Sequence, residues 1–216
     1  MSDNRYMETS VVSYRASRPS RDLLVAAHQQ ITREWWDSKL GRYDVFISDI
    51  VIQEIEQGDA EAAQDRLTLV SSFPILAVTE GAERLAGLYM REMPLPSKAI
   101  RDALHMAIAS LNGMNYLVTW NCRHIAQGWS KRRLLELNTE QGIESPVICT
   151  PEELGGEFDV GRSDYTRGPR GGEQTGARGG LRPACVLSAH RPAPASVRRQ
   201  TGHSAAAQAW RDGVAD

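Results

Sequence analysis

Residues 98–120, KAIRDALHMAIASLNGMNYLVTW, decide the fold class. Ala99, Ala103, Met106 and Ile108 read apolar while Lys98, Arg101, Asp102 and His105 recur at three- and four-residue spacing, Ser97 stands where a cap belongs, and Gly113 sits in the C′ position of a helix end. NYLVTW (115–120) follows as a short apolar run rich in β-formers, which predicts a strand. The same helix-then-strand alternation extends in both directions. Upstream, RYMET (5–9) reads as a strand, followed by a turn and a helix through DLLVAAHQQITREWWDSKL that Gly41 should stop. DVFIS (44–48) is a second strand and DIVIQEIEQ a helix. AEAAQDRLTLVSS is another helix, opened by Asp59, and PILAV a third strand before the helix TEGAERLAGLYMRE. Downstream, SPVICT reads as the last strand. Strands alternating with helices of this length predict an α/β fold: a central parallel sheet covered on both faces, in three layers. Functional groups in such sheets gather at the carboxyl ends of the strands.

Composition bounds the rest. Hydrophobic residues make up 41% and charged residues 24%, an ordinary soluble globular balance. The first ten residues, MSDNRYMETS, lack the apolar core of a signal peptide, and no apolar run approaches a membrane span. Cys122, Cys149 and Cys185 lie far apart, which fits reduced thiols in a cytoplasm better than a disulfide framework. From Gly156 onward the text changes. That stretch holds 10 of the 18 glycines, nine arginines and no lysine, and has no sustained apolar period. The expectation is one folded domain over 1–155 and a low-complexity, disordered tail over 156–216. The tail reads either as a solvated extension or as a basic RNA-binding segment, the former being the simpler.

Four polar residues stand at strand-linked positions. Glu8 follows the first strand, with Thr9 and Ser10 supplying hydroxyls. Glu54 lies on the helix after the second strand, and Asp102 in the first turns of the helix before the fourth. Asn121 follows that strand, behind Thr119 and Trp120. Taken singly each has an ordinary reading: Glu8 as a helix cap, Glu54 as a solvated helix charge, Asn121 as a turn residue. Lys98, Arg101, Asp102 and His105 form a polar ridge that also reads as an exposed face, with Asp102 paired to Lys98. Jointly, on neighbouring strands, they predict one cleft. Unpaired carboxylates at close range are costly, and hard divalent cations such as Mg²⁺ or Mn²⁺ relieve that cost.

The order of motifs resembles the PIN-domain family, especially the VapC toxins of bacterial toxin–antitoxin pairs. YMETSVVSY (6–14) is similar to the family's first acid-x-[Ser/Thr/Asn] segment, and SDIVIQEI (48–55) to the segment carrying its second acid. RDALHMAIA (101–109) resembles the D-A-x-x-x-A-x-A helix, the most specific match. LVTWNCRHI (117–125) resembles the T-x-N-x-x-[Asp/His]-[Phe/Ile] pattern. The resemblance spans residues 6–155. Glu8 departs from it, standing where most relatives have Asp. Asn121 is a neutral residue in the fourth position, so the site carries three formal carboxylates.

The resemblance implies a PIN-like fold and a metal-dependent endoribonuclease, with Glu8, Glu54, Asp102 and Asn121 as the catalytic set. Glu8, Glu54 and Asp102 would hold Mg²⁺ or Mn²⁺. Ser10 and Thr119 would support them, while Arg101, His105, Arg123 and His124 would lie behind the ligands or contact RNA. It further implies an RNA substrate, a cognate antitoxin and a homodimer, for which the Trp35–Trp36 helix is a candidate surface, and no membrane. Lys131, Arg132 and Arg133 read either as phosphate contacts or as a solvated helix face. Two other functions stand beside this one: a PIN fold that grips RNA through a degenerate site, and a nuclease of structured DNA. A small-molecule enzyme is disfavoured because no Gly-rich phosphate loop follows any strand.

Overall fold

The computed structural model describes residues 3–155; the expected tail over 156–216 lies outside them. Five strands, β1 (Asn4–Met7), β2 (Asp44–Ser48), β3 (Ile75–Leu76), β4 (Tyr116–Val118) and β5 (Val147–Cys149), form one sheet in the order β3-β2-β1-β4-β5. All pairings are parallel, with Tyr6 opposite Phe46 on one side and Leu117 on the other. Eight helices accompany it among the described residues: α1 (Thr9–Ala16), α2 (Leu23–Lys39), α3 (Asp49–Ile55), α4 (Ala60–Val70), α5 (Glu80–Glu92), α6 (Ile100–Leu111), α7 (Gly128–Glu140) and α8 (Pro151–Gly155).

The chain winds from β1 outward to β3, then returns across β1 to place β4 on its other side. Crossovers between parallel strands are right-handed, so this reversal sends the two sets of helices to opposite faces. α1 packs with α2, α3 and α4, and α5 with α6. On the second face, the Tyr89 hydroxyl of α5 donates to Asn138 Oδ1 of α7, and Asn138 Nδ2 donates to Ser110 Oγ of α6 at 2.9 Å. The layered parallel sheet expected from the sequence is the observed one. Its winding direction switches between β1 and β4, and a crevice opens outside the carboxyl ends of strands at such a point.

The helices start where capping side chains stand. Asp22 accepts from the amides of Leu24 and Val25, Asp59 from Ala62 and Thr79 from Ala82. Tyr6, Met7, Leu117 and Val118 are fully buried in the two central strands. Each such side chain stabilises by roughly 1.5–3 kcal/mol on burial. At the other end of β1, buried Arg5 stacks its guanidinium 3.1 Å from the Tyr43 ring centre, with Tyr116 4.6 Å away. Ala103 to Ser110 are all buried, so α6 is the central helix of its face. Gly113 closes it with φ of 62°, a conformation that glycine adopts without a Cβ penalty. Among the described residues no helix is long and apolar enough to cross a membrane.

Several local expectations are corrected. Thr9 to Ala16, read as part of a strand and a turn, is a helix, because Glu8 caps it. Ser97 does not cap α6: Ser97–Ala99 form a separate single turn with no side-chain cap bond, and Ala99 stands at the boundary. PILAV contributes only Ile75–Leu76 to the sheet. The stop expected at Gly41 holds: α2 ends at Lys39 with Leu40 as its C-cap, and Gly41 lies in the single turn Leu40–Arg42 that follows. The polar ridge on α6 is not a solvent face, since His105 is 1% exposed and Asp102 pairs with His124 rather than Lys98.

Candidate metal centre

Glu8 is placed by its position as the N-cap of α1. Its amide still donates to Val118 O at 3.0 Å, extending the β1–β4 pairing, before the chain turns into the helix. The carboxylate therefore points at the positive end of α1. Its Oε2 accepts from Ser10 N at 3.1 Å, from Thr119 Oγ1 at 2.7 Å, and from the Ser10 hydroxyl. Ser10 Oγ in turn accepts from Trp120 N at 2.8 Å. The cap reading and the site reading of Glu8 both hold. Glu8 is 6% exposed, and three donors on one oxygen compensate that burial. Oε1 accepts no hydrogen bond among the described residues.

Glu54 reaches the same point from α3. Its Oε2 accepts from the Thr9 hydroxyl and lies 3.0 Å from His105 Nε2, while Arg101 Nη1 is 3.7 Å from Oε1. Burial acts first and by itself would raise the Glu54 pKa. The His105 hydrogen bond and charge, then Thr9 and Arg101, outweigh it, and the carboxyl titrates below its usual range. His105 shifts the other way. Burial would lower it, but the bond to Glu54 and the charges of Glu8, Glu54 and Asp102 raise it. Both directions favour an imidazolium–carboxylate pair. Behind His105, its Nδ1 lies 2.7 Å from the Tyr6 hydroxyl, which lies 2.7 Å from Ser48 Oγ. Burial pushes the Tyr6 hydroxyl well above its ordinary value.

Asp102 forms a second limb. Its Oδ1 accepts from Asn121 Nδ2 at 2.9 Å, and Oδ2 lies 2.7 Å from His124 Nδ1. Asn121 is held in that orientation because its Oδ1 accepts from His124 N and its own amide donates to Thr119 Oγ1. Asp102 and His124 side chains keep 18% and 22% exposure, so this limb touches solvent.

One ligand atom each from Glu8, Glu54 and His105 lie within 4.8 Å of one another. Asp102 does not share that point; it stands beside it, joined through Asn121 and Thr119 to Glu8. The donors fit a hard divalent cation: the buried Glu8 and half-buried Glu54 carboxylates converge, among the described residues, without a lysine or arginine within salt-bridge range other than Arg101, and Glu8 keeps an unused oxygen. Of the residues expected from the sequence, Glu8, Glu54, Ser10 and Thr119 come together here, and Asp102 and Asn121 lie on the adjoining limb. Sequence reasoning missed Tyr6 and Ser48. The available signal was Tyr6 itself, a tyrosine in a central strand whose hydroxyl needs a buried partner. Of the cationic candidates, Arg123 is exposed and has no acidic partner among the described residues. Lys131, Arg132 and Arg133 are engaged on α7 with Glu153, Glu136 and Glu92.

The PIN domain family matches residues 16–124, which take in Glu54, Asp102 and Asn121 but not Glu8. No curated protein matches the chain in sequence. Among solved structures, the chain is similar to Mycobacterium tuberculosis VapC20, a Sarcin-Ricin loop cleaving toxin. That alignment has 18% identity, 58% of this chain and 95% of that one covered, and a TM-score of 0.46. It is also similar to VapBC2 from Rickettsia felis bound to a DNA fragment from their promoter, at 14% identity, 68% and 98% coverage, and a TM-score of 0.43. The family match spans half of the chain. The protein belongs to the PIN domain family.

Proposed function

We propose that this PIN domain is a metal-dependent endoribonuclease acting in the cytoplasm as the toxin of a toxin–antitoxin pair. The observation that carries the proposal is the convergence of the Glu8 and Glu54 carboxylates, with Asp102 and Asn121 beside them, at the switch point between β1 and β4. Glu8 and Glu54 would hold Mg²⁺ or Mn²⁺, and Asp102 would complete the set from the second limb. When bound, such a cation supplies Lewis-acid neutralisation of phosphate charge and acidification of water. The chain's own groups do the positioning. Ser10 and Thr119 hold Glu8, Thr9 holds Glu54, and Asn121 fixes the Asp102 carboxylate in the plane that its amide dictates. Arg101, Arg123 and His124 line the solvent side as contacts for the RNA phosphates.

The partner surface is the start of α2, where Leu23 and Leu24 are 88% and 67% exposed. Trp35 is core and Trp36 packs against Phe73, so the two leucines, rather than the tryptophans, are the apolar groups offered to an antitoxin segment or a second copy. A second reading is favoured by one observation: both Asp102 oxygens are already engaged, by Asn121 and His124. On that reading the chain grips RNA without cutting it.

The two are separated by incubating the full chain with a mixed tRNA and rRNA pool, and with matched DNA oligonucleotides, in Mn²⁺, Mg²⁺ or EDTA. Cutting of RNA that EDTA stops supports the nuclease. RNA binding that survives EDTA without cutting supports the second reading, and preferential cutting of DNA sinks the RNA assignment.

A further inference from the structure

His105 sits in the middle of α6 among Ala103, Leu104, Met106 and Ala107, all buried, and is itself 1% exposed. A buried imidazole in such surroundings must have partners for both nitrogens. It has them: Tyr6 OH at Nδ1 and Glu54 Oε2 at Nε2. An ionised carboxylate only accepts, so Nε2 carries a hydrogen towards Glu54 whatever the charge on the ring. With a neutral ring, Nδ1 accepts from Tyr6, whose oxygen then accepts from Ser48. With a charged ring, Nδ1 donates to Tyr6 and Tyr6 donates to Ser48. Ser48 is anchored from a third element, accepting from Val51 N at the start of α3. Four side chains from β1, β2, α3 and α6 thus form one unbroken relay ending on a single oxygen of Glu54.

We propose that His105, backed by Tyr6 and Ser48, is a positioning residue that fixes the Glu54 carboxylate for metal binding; this deepens, and rests on, the reading of the site as a metal centre. Glu54 has three rotatable side-chain bonds, and free rotation would have to be lost on each ligation. Two donors on Oε2, from Thr9 and His105, hold that oxygen still and leave Oε1 as the atom with no donor closer than Arg101 at 3.7 Å. The imidazole is rigid and is held at its far end by Tyr6, so the direction of the bond is set by the sheet rather than by the helix carrying Glu54. His105 also donates to a ligand rather than lying exposed beside it, which distinguishes it from a phosphate contact.

The test is Mn²⁺ binding by the full-length chain in titration calorimetry, with thermal midpoints recorded alongside. His105→Leu removes the donor, and Tyr6→Phe removes only the backing hydroxyl, which keeps the test alive where the first variant folds poorly. His105→Gln restores an N–H donor. Expected are a 10- to 100-fold loss of Mn²⁺ affinity in His105→Leu, the range for groups that orient metal ligands, a smaller loss in Tyr6→Phe, and partial recovery in His105→Gln. In a Glu54→Gln background, His105→Leu should add no further loss, a coupling that a purely structural histidine would not produce. Affinity within twofold of the parent in both His105→Leu and Tyr6→Phe, while Glu54→Gln loses it, overturns the positioning role and leaves the metal centre standing. Unchanged affinity in Glu54→Gln overturns the metal-centre reading, and the positioning role with it.

Discussion

The Thr119 hydroxyl donates to Glu8 Oε2 at 2.7 Å and so ties the end of β4 to the end of β1 across the switch point of the sheet. Thr119 Oγ1 in turn accepts from Asn121 N at 2.9 Å, which makes Thr119 the joint between the Glu8 limb and the Asp102–Asn121 limb. A threonine at this place does what neither carboxylate can do alone: it sets the distance between them.

Replacing Thr119 by valine keeps the shape and removes both bonds. Thr119 is fully buried, so Asn121 N loses a partner and Glu8 keeps only the Ser10 donors. Leaving a part-buried amide and the buried Glu8 carboxylate each short of a partner costs about 1–3 kcal/mol, and denaturant unfolding should register a loss of that size. A stability unchanged from the parent would show that the joint contributes nothing.

Glu8→Gln separates charge from shape. The amide oxygen can still accept from Ser10 and Thr119, so the fold should hold in metal-free buffer. Mn²⁺ at about 100 times its dissociation constant should stabilise the parent by roughly 2.7 kcal/mol, and the variant by much less. Equal stabilisation of both by Mn²⁺, seen in thermal melts, would place the cation elsewhere.

Stability should fall steeply in alkali. Tyr89, buried on α5, has its pKa pushed up from 10 to about 12, burial being the main cause, and buried Tyr6 is raised as well. Between pH 10 and 12 the unfolded chain releases the Tyr89 proton and the folded chain keeps it, so the unfolded state binds fewer protons and stability decreases with pH. The stabilisation is complete below pH 10 and is lost towards 12. About two pH units at ~1.4 kcal/mol each give a loss on the order of 3 kcal/mol from Tyr89. Unfolding curves at pH 9, 10.5 and 11.5 would read it directly, and a flat profile would contradict the burial of these hydroxyls.

The cationic residues should divide into two groups. Arg123, exposed and without an acidic partner among the described residues, should weaken RNA binding when changed to alanine and make the salt dependence shallower by about 0.7 in the log–log slope, one phosphate contact on a single strand. Lys131, Arg132 and Arg133 already face Glu153, Glu136 and Glu92, and their alanine variants should change that slope little. Filter binding across a salt series decides; equal slope changes from both groups would reject the division.

Much of the fold was legible because hydrophobic period and capping residues agree over long stretches. DVFIS matches β2 residue for residue, and Asp59 and Thr79 mark the true starts of α4 and α5. Legibility failed where a tertiary contact outvoted local chemistry. SVVSY carries β-branched residues that favour a strand, yet it forms α1 because Glu8 caps it and Val11 and Val12 bury against the core. His105 looks like one more polar residue on an exposed ridge until Tyr6 and Glu54, 99 and 51 residues away in sequence, are seen to hold it. Asp102 reads as a metal ligand by motif, and only the structure places it on a limb with Asn121 and His124, beside the Glu8–Glu54 pair rather than within it.

The most direct test of the whole account is the cutting of an RNA pool by the full chain in Mn²⁺, compared with Glu8→Gln and Asp102→Asn under the same conditions. The account predicts cleavage by the parent that EDTA abolishes and both variants lose, with each variant still folded. Cleavage that persists in the two variants, or in EDTA, would contradict it, because the carboxylates of Glu8 at the end of β1 and of Asp102 on α6 would then not be where the reaction takes place.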